Sequence, residues 1–150
     1  MGLDMYLSKK TYVKQWDHQS PEEKYEVKVT KGGEPVEAIK ASRVKYIEEE
    51  IGYWRKANQI HRWFVENVQD GKDDCGDYYV SGEDLETLLD ICKQVEADHS
   101  LAETLLPSAS GFFFGGTDYD EWYYNDITNT IKIIEEALID GGDFYYSSSW

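Results

Sequence analysis

Residues 52–64, GYWRKANQIHRWF, place four aromatics, three cations and a histidine in thirteen positions. On a helical wheel Tyr53, Ala57, Ile60, His61, Phe64 and Val68 share one face. Arg55, Gln59, Arg62 and Glu66 fall opposite, toward water. This spacing predicts an amphipathic helix over 53–68 whose inner face is core, with Gly71 at the C-cap position just beyond it. His61 is the odd member of the inner face: either a histidine satisfied within the core or a proton donor and ligand contact.

One flank of that helix has its own chemistry. Trp54, Asn58, His61 and Val65 follow one another at spacings of three and four. Indole offers stacking, the amide a paired donor and acceptor, and imidazole an anion contact. Arg55 or Arg62 at the rim can fork two N–H donors onto a phosphate. Trp54, Arg55, Asn58, His61 and Arg62 are therefore the candidate ligand-binding residues, suited to a nucleotide or another small anionic ligand. The alternative is a helix decorated for packing and solubility.

Working outward, Leu3, Met5 and Leu7 alternate with polar neighbours as a strand does. Tyr25, Val27 and Val29 alternate likewise. Lys31-Gly32-Gly33-Glu34-Pro35 supplies a turn, after which 36–39 returns as a second strand. Residues 17–23 read as a surface loop, and 43–51 are ambiguous between strand and helix. Residues 77–80 form a short strand, and Ser81 with Asp84 has capping-box spacing ahead of a helix on Leu85, Leu88, Leu89, Cys92 and Val95. Pro107 to Gly111 is loop, and Phe112-Phe113-Phe114 is a buried-strand candidate. Thr117 caps a last helix with Asp118, Asp120 and Glu121 in its first turn and Tyr124, Ile127, Ile131, Ile134 and Leu138 as its inner stripe. Gly141-Gly142 ends it, Phe144 to Tyr146 makes a closing strand, and Trp150 is expected to be docked. The sum is one α+β domain over 1–150, an antiparallel or mixed sheet with about three helices packed on it.

The 150 residues are 41% hydrophobic and 15% aromatic, enough for a real core, and carry a net charge of −15. Residues 1–65 hold 12 cations against 10 carboxylates, and residues 66–150 hold 3 against 20. That balance excludes direct nucleic-acid binding by the surface as a whole and favours a basic protein partner. Acidic faces of helices 84–96 and 118–140, with Glu83, Glu86, Asp90, Glu96, Asp126, Glu135 and Glu136, could imitate a phosphate backbone; plain solvated faces are the other reading. No run approaches the roughly 18 apolar residues of a membrane span. With two cysteines, no CxxC and no secretory start, a reduced cytoplasmic protein is expected. No cofactor and no metal are expected, although Asp118, Asp120 and Glu121 leave divalent metal as an alternative to simple capping. GxSxG, HExxH, GxGxxG and Walker loops are all missing, so no catalytic residues are assigned. A carboxylate-dependent enzyme is the lesser reading.

Four segments, MGLDMYL at 1–7, GYWRKANQIHRWF at 52–64, GFFFGGTDYDEWYY at 111–124 and YYSSSW at 145–150, resemble a group of small uncharacterised proteins of bacteriophages and prophage-bearing bacteria. The resemblance runs end to end. It implies a phage setting, the host cell's cytoplasm, and a host-interaction or anti-defence role, and it carries over no catalytic residues. The expected function is a non-catalytic binding protein acting on a basic host protein through its acidic surface; the alternative is a small-molecule or nucleotide binder using 52–64.

Overall fold

The alternation at the N-terminus becomes a strand longer than the pattern that announced it. In the computed structural model, which describes residues 2–111 and 113–150, β1 spans Asp4–Tyr12. Met5 and Leu7 point into the core and Tyr6 points away, as a period of two requires. The chain divides into two compact units, Lys10–Glu49 and the pair Met1–Lys9 with Glu50–Trp150.

The smaller unit contains the far end of β1, a hairpin of β2 (Thr30–Lys31) and β3 (Glu34–Pro35), and the start of β4 (Tyr46–Arg55). The turn chemistry of Gly32-Gly33, both at positive φ, makes the hairpin, but just two residues pair on each side. The strands expected at 25–30 and 36–39 shrink to these pairs and one further bond, Val36 N to Val29 O at 3.1 Å. Tyr25 and Ile39 stay exposed, so no covered face rewards extending the ladder. Trp16 Nε1 donates to the Tyr12 hydroxyl at 2.9 Å, and Tyr12 meets the edge of Tyr46 with centroids 5.1 Å apart. Eight cations and eight carboxylates leave this unit neutral, so the larger one, with 7 against 22, carries the whole −15.

In the larger unit β4 continues to Arg55 and only then does α1 (Asn58–Asn67) begin. This corrects the expected helix over 53–68. Gly52 and Trp54 face inward and Tyr53 and Arg55 outward, a strand alternation in which Tyr53 and Ala57 cannot share a helical face. The break is at Lys56, whose φ of +57° turns the chain from strand to helix. There follow β5 (Asp77–Val80), α2 (Gly82–Ala97), the single-turn α3 (Ala102–Leu105), α4 (Glu121–Asp140) and β6 (Asp143–Ser149). The sheet is antiparallel in the order β4-β1-β6-β5, so the fold is α+β with α1, α2 and α4 as its three long helices.

Local chemistry sets the helix ends. Ser81 Oγ accepts from Asp84 N at 3.0 Å and Asp84 Oδ2 accepts from Ser81 N at 3.1 Å, the reciprocal box that starts α2. At α4 the cap is Asp120, whose Oδ1 accepts from Tyr123 N at 3.2 Å, and not Thr117. The buried stripe is Tyr123, Ile127, Thr130, Ile134 and Ala137, one position round from the expected one, and Tyr124, Ile131 and Leu138 are half-covered at its edges. Gly141, at φ +66°, ends it with its N–H on Ala137 O. Phe113 and Phe114 sit in a turn rather than a strand, and Phe112 lies outside the described residues.

The core joins Leu3, just before β1, and Met5, Leu7, Trp54, Phe144 and Tyr146 of the sheet to Phe64 of α1, Leu85, Leu88, Cys92 and Val95 of α2, and the α4 stripe. Phe64 stacks flat on Tyr146, centroids 3.9 Å apart. Side chains of this size contribute about 1.5–3 kcal/mol each when removed from water. A Cβ on Gly52 would lie 2.6 Å from Ile133 Cγ2, so β4 and α4 touch there with no room for a side chain. Trp150 is docked by its polar edge, Nε1 donating to Asp73 Oδ1 at 3.0 Å, while its ring stays 48% exposed.

Candidate functional site

The strand-to-helix corner at Lys56 and the start of α4 enclose a cleft of about 300 Å³, near the lower end of small-molecule sites. Arg55 and Lys56 line it from the corner, Asn58 and Gln59 from the first turn of α1, and Ser108, Gly115 and Gly116 from the loop. Asp118, Asp120, Trp122, Tyr123 and Asp126 complete it. Lys56 is held in its left-handed conformation by its N–H on Leu3 O at 2.8 Å, and Gly115, also at positive φ, packs beneath its side chain. Such a backbone costs about 1–3 kcal/mol and persists only where the surroundings enforce it.

The five residues singled out from sequence separate into different roles. Arg55 and Asn58 reach the cleft. Asn58 is 2% exposed and spends its amide on the fold: Nδ2 donates to Phe114 O at 3.1 Å and Gly116 O at 2.8 Å, and Oδ1 accepts from Ala109 N at 2.9 Å. It shapes the cleft by pinning the loop.

Trp54 is buried on β4, with Nε1 donating to Thr130 Oγ1 at 2.8 Å, so it offers no stacking surface. His61 is 1% exposed; its Nδ1 lies 2.6 Å from the Tyr146 hydroxyl and its Nε2 3.0 Å from Asp73 Oδ1, close enough for an ion pair but out of line for a full hydrogen bond. A carboxylate offers only lone pairs, so the ring proton is assigned to Nε2 and Nδ1 accepts from Tyr146. Burial holds the Tyr146 hydroxyl well above its usual range, keeping it a donor. His61 is thus a core residue. Arg62 pairs with Glu66 Oε1 at 2.8 Å and borders a separate dimple of about 30 Å³.

Apart from Arg55 and Asn58, none of the lining residues belonged to the sequence-derived site, and four of the others matter most. Lys56 reads as one cation among many, Gln59 falls on the wheel's water side, and Trp122 and Asp126 lie far along the chain. The signal that remains is the spacing of four between Trp122 and Asp126, which puts both on one face of α4. Asp126, expected on an outward face, is half-buried. Burial pushes its carboxyl up to about 6; the hydrogen bond from Gln59 opposes the shift and the Asp120 charge reinforces it. Gln59 Nε2 is divided between Tyr123 O at 3.3 Å and Asp126 Oδ2 at 3.4 Å.

Among the described residues, neither Arg55 nor Lys56 forms an ion pair with Asp118, Asp120 or Asp126. Both signs of charge therefore line one cleft without pairing directly, an arrangement suited to a ligand with an anionic end and a donor-rich end. Asp126 can also hold or release a proton near neutral pH. Among the described residues, no group of three His, Cys, Asp or Glu side chains is placed to hold a metal ion, and no helix is long and apolar enough to cross a membrane. Comparison with protein-family models, with curated proteins and with solved structures finds no match to this chain.

Proposed function

We propose that this chain is a binding protein that captures a small anionic molecule in the cleft between the Lys56 corner and α4, in the phage setting its four segments resemble. The observation that carries this is that Arg55 and Lys56, which form no ion pair with the cleft's carboxylates among the described residues, line the same cleft as Trp122, Gln59 and Asp126. The cations draw the anionic end, and the buried Gln59 amide and half-buried Asp126 carboxylate orient the other. Asn58 ties down the loop beside them. Native mass spectrometry of protein purified from cell extract tests the reading. A retained mass that disappears in an Arg55→Ala/Lys56→Ala double variant of unchanged circular dichroism is expected. Retention that ignores the double variant would refute it, and conversion of the retained molecule would move the assignment to carboxylate-based catalysis at Asp126.

A second reading, a basic protein partner, rests on the placement of charge. The larger unit carries the whole −15, and Glu83, Glu86, Asp90, Glu96, Glu135 and Glu136 are all exposed on α2 and α4. Binding of such a partner should weaken steeply with added salt. Salt-insensitive association would count against it.

A further inference from the structure

Asp126 is an acceptor with capacity to spare. An ionised carboxylate has about four lone-pair sites, and the Asp126 carboxylate receives a Gln59 N–H held at 3.4 Å and shared with a backbone carbonyl. A half-buried carboxylate in that state gains most from a ligand that brings two adjacent N–H donors. One turn earlier on α4 stands Trp122, 77% exposed and lining the same cleft. An indole left in water beside such a carboxylate is a platform for a flat ring. Arg55 and Lys56 line the cleft as well and are suited to phosphate.

Only one common base satisfies this set. Guanine presents N1–H and the exocyclic N2–H side by side. Adenine and cytosine put a ring lone pair beside their amino group, which would face the carboxylate with like charge. Uracil and hypoxanthine offer a single N–H.

Resting on the ligand-binding reading of this cleft, we propose that its ligand is a guanine nucleotide, with Asp126 accepting both N–H donors, Trp122 stacking on the base, and Arg55 and Lys56 holding the phosphate. Ribose hydroxyls then fall to Asp118 or Asp120, which accept hydrogen bonds and do not favour a second phosphate. The cleft volume of about 300 Å³ suits a mononucleotide.

Isothermal titration with GMP, IMP, AMP and L-arginine tests the assignment. GMP should bind about tenfold to a hundredfold tighter than IMP, the worth of one paired contact against a single one. AMP should bind more weakly still. Asp126→Asn should erase the preference for GMP over IMP. Trp122→Ala, at an exposed position that folding does not depend on, should weaken GMP by about tenfold. Equal binding of GMP and AMP, a preference that survives Asp126→Asn, L-arginine binding as tightly as GMP, or no nucleotide binding by the folded protein would each overturn the guanine assignment. If a different molecule is nevertheless retained through Arg55 and Lys56, the cleft remains a binding site and the guanine assignment alone falls.

Discussion

Replacing Asp126 by Asn should change how the stability of the fold depends on pH. In the folded chain burial raises this carboxyl from 3.8 to about 6, so between those values the native state binds a proton that the unfolded chain has released. Stability from this group is fully present below pH 3.8 and is lost as pH rises through about 6. At 1.36 kcal/mol per pH unit the difference is roughly 3 kcal/mol, and solvent screening of a group this open reduces it to about 1–2. Asn cannot ionise and so escapes the loss. Urea unfolding followed by tryptophan fluorescence at half-unit steps from pH 4 to 8 measures it. The stability of Asp126→Asn relative to the parent should rise by about 1–2 kcal/mol from pH 4 upward, half of it by about pH 5, midway between 3.8 and about 6, and level off above about 6. A constant offset, such as the altered bond to Gln59 would produce, does not affect the test. A difference independent of pH, or one falling as pH rises, would refute the placement of Asp126 as a half-buried, poorly compensated acid.

Asn58→Ala should cost about 1–3 kcal/mol, since a buried amide loses three part-buried bonds together; hydrogen exchange should rise first at Ala109 and across the loop to Gly116, and protection that stays unchanged would show that Asn58 does not hold it. Burial pushes the Cys92 thiol up to about 12 while Cys75 is exposed. One thiol should therefore react with a disulfide reagent in the native protein and the second only in denaturant; two rapid equivalents would contradict the packing of α2.

The capping box at Ser81, the glycine end at Gly141, the strands at the two ends of the chain and the apolar period of α2 were all legible in the sequence. Each depends on neighbours within a few residues, so a local pattern contains the whole cause. The 52–64 stretch was legible only in part. Ala57, Ile60, His61 and Phe64 do form the buried face of a helix, yet Tyr53 and Trp54 belong to a strand. Both periods fit six residues equally well, and what decides between them is the chain leading into β1, which accepts the Lys56 N–H at Leu3 O.

The α4 start shows the same limit. Thr117 and Asp120 are both good caps, and packing chose the second. The cleft depends entirely on such choices. Composition and spacing determined an acidic α+β chain and singled out Arg55 and Asn58, which line the cleft. Only the tertiary structure decided that Trp54 and His61 are core and that Lys56, Gln59, Trp122 and Asp126 meet across some seventy residues of chain. The physical reason is that a binding cleft is made of gaps between elements, and sequence periodicity reports which face of an element is covered, not what stands opposite the face left open.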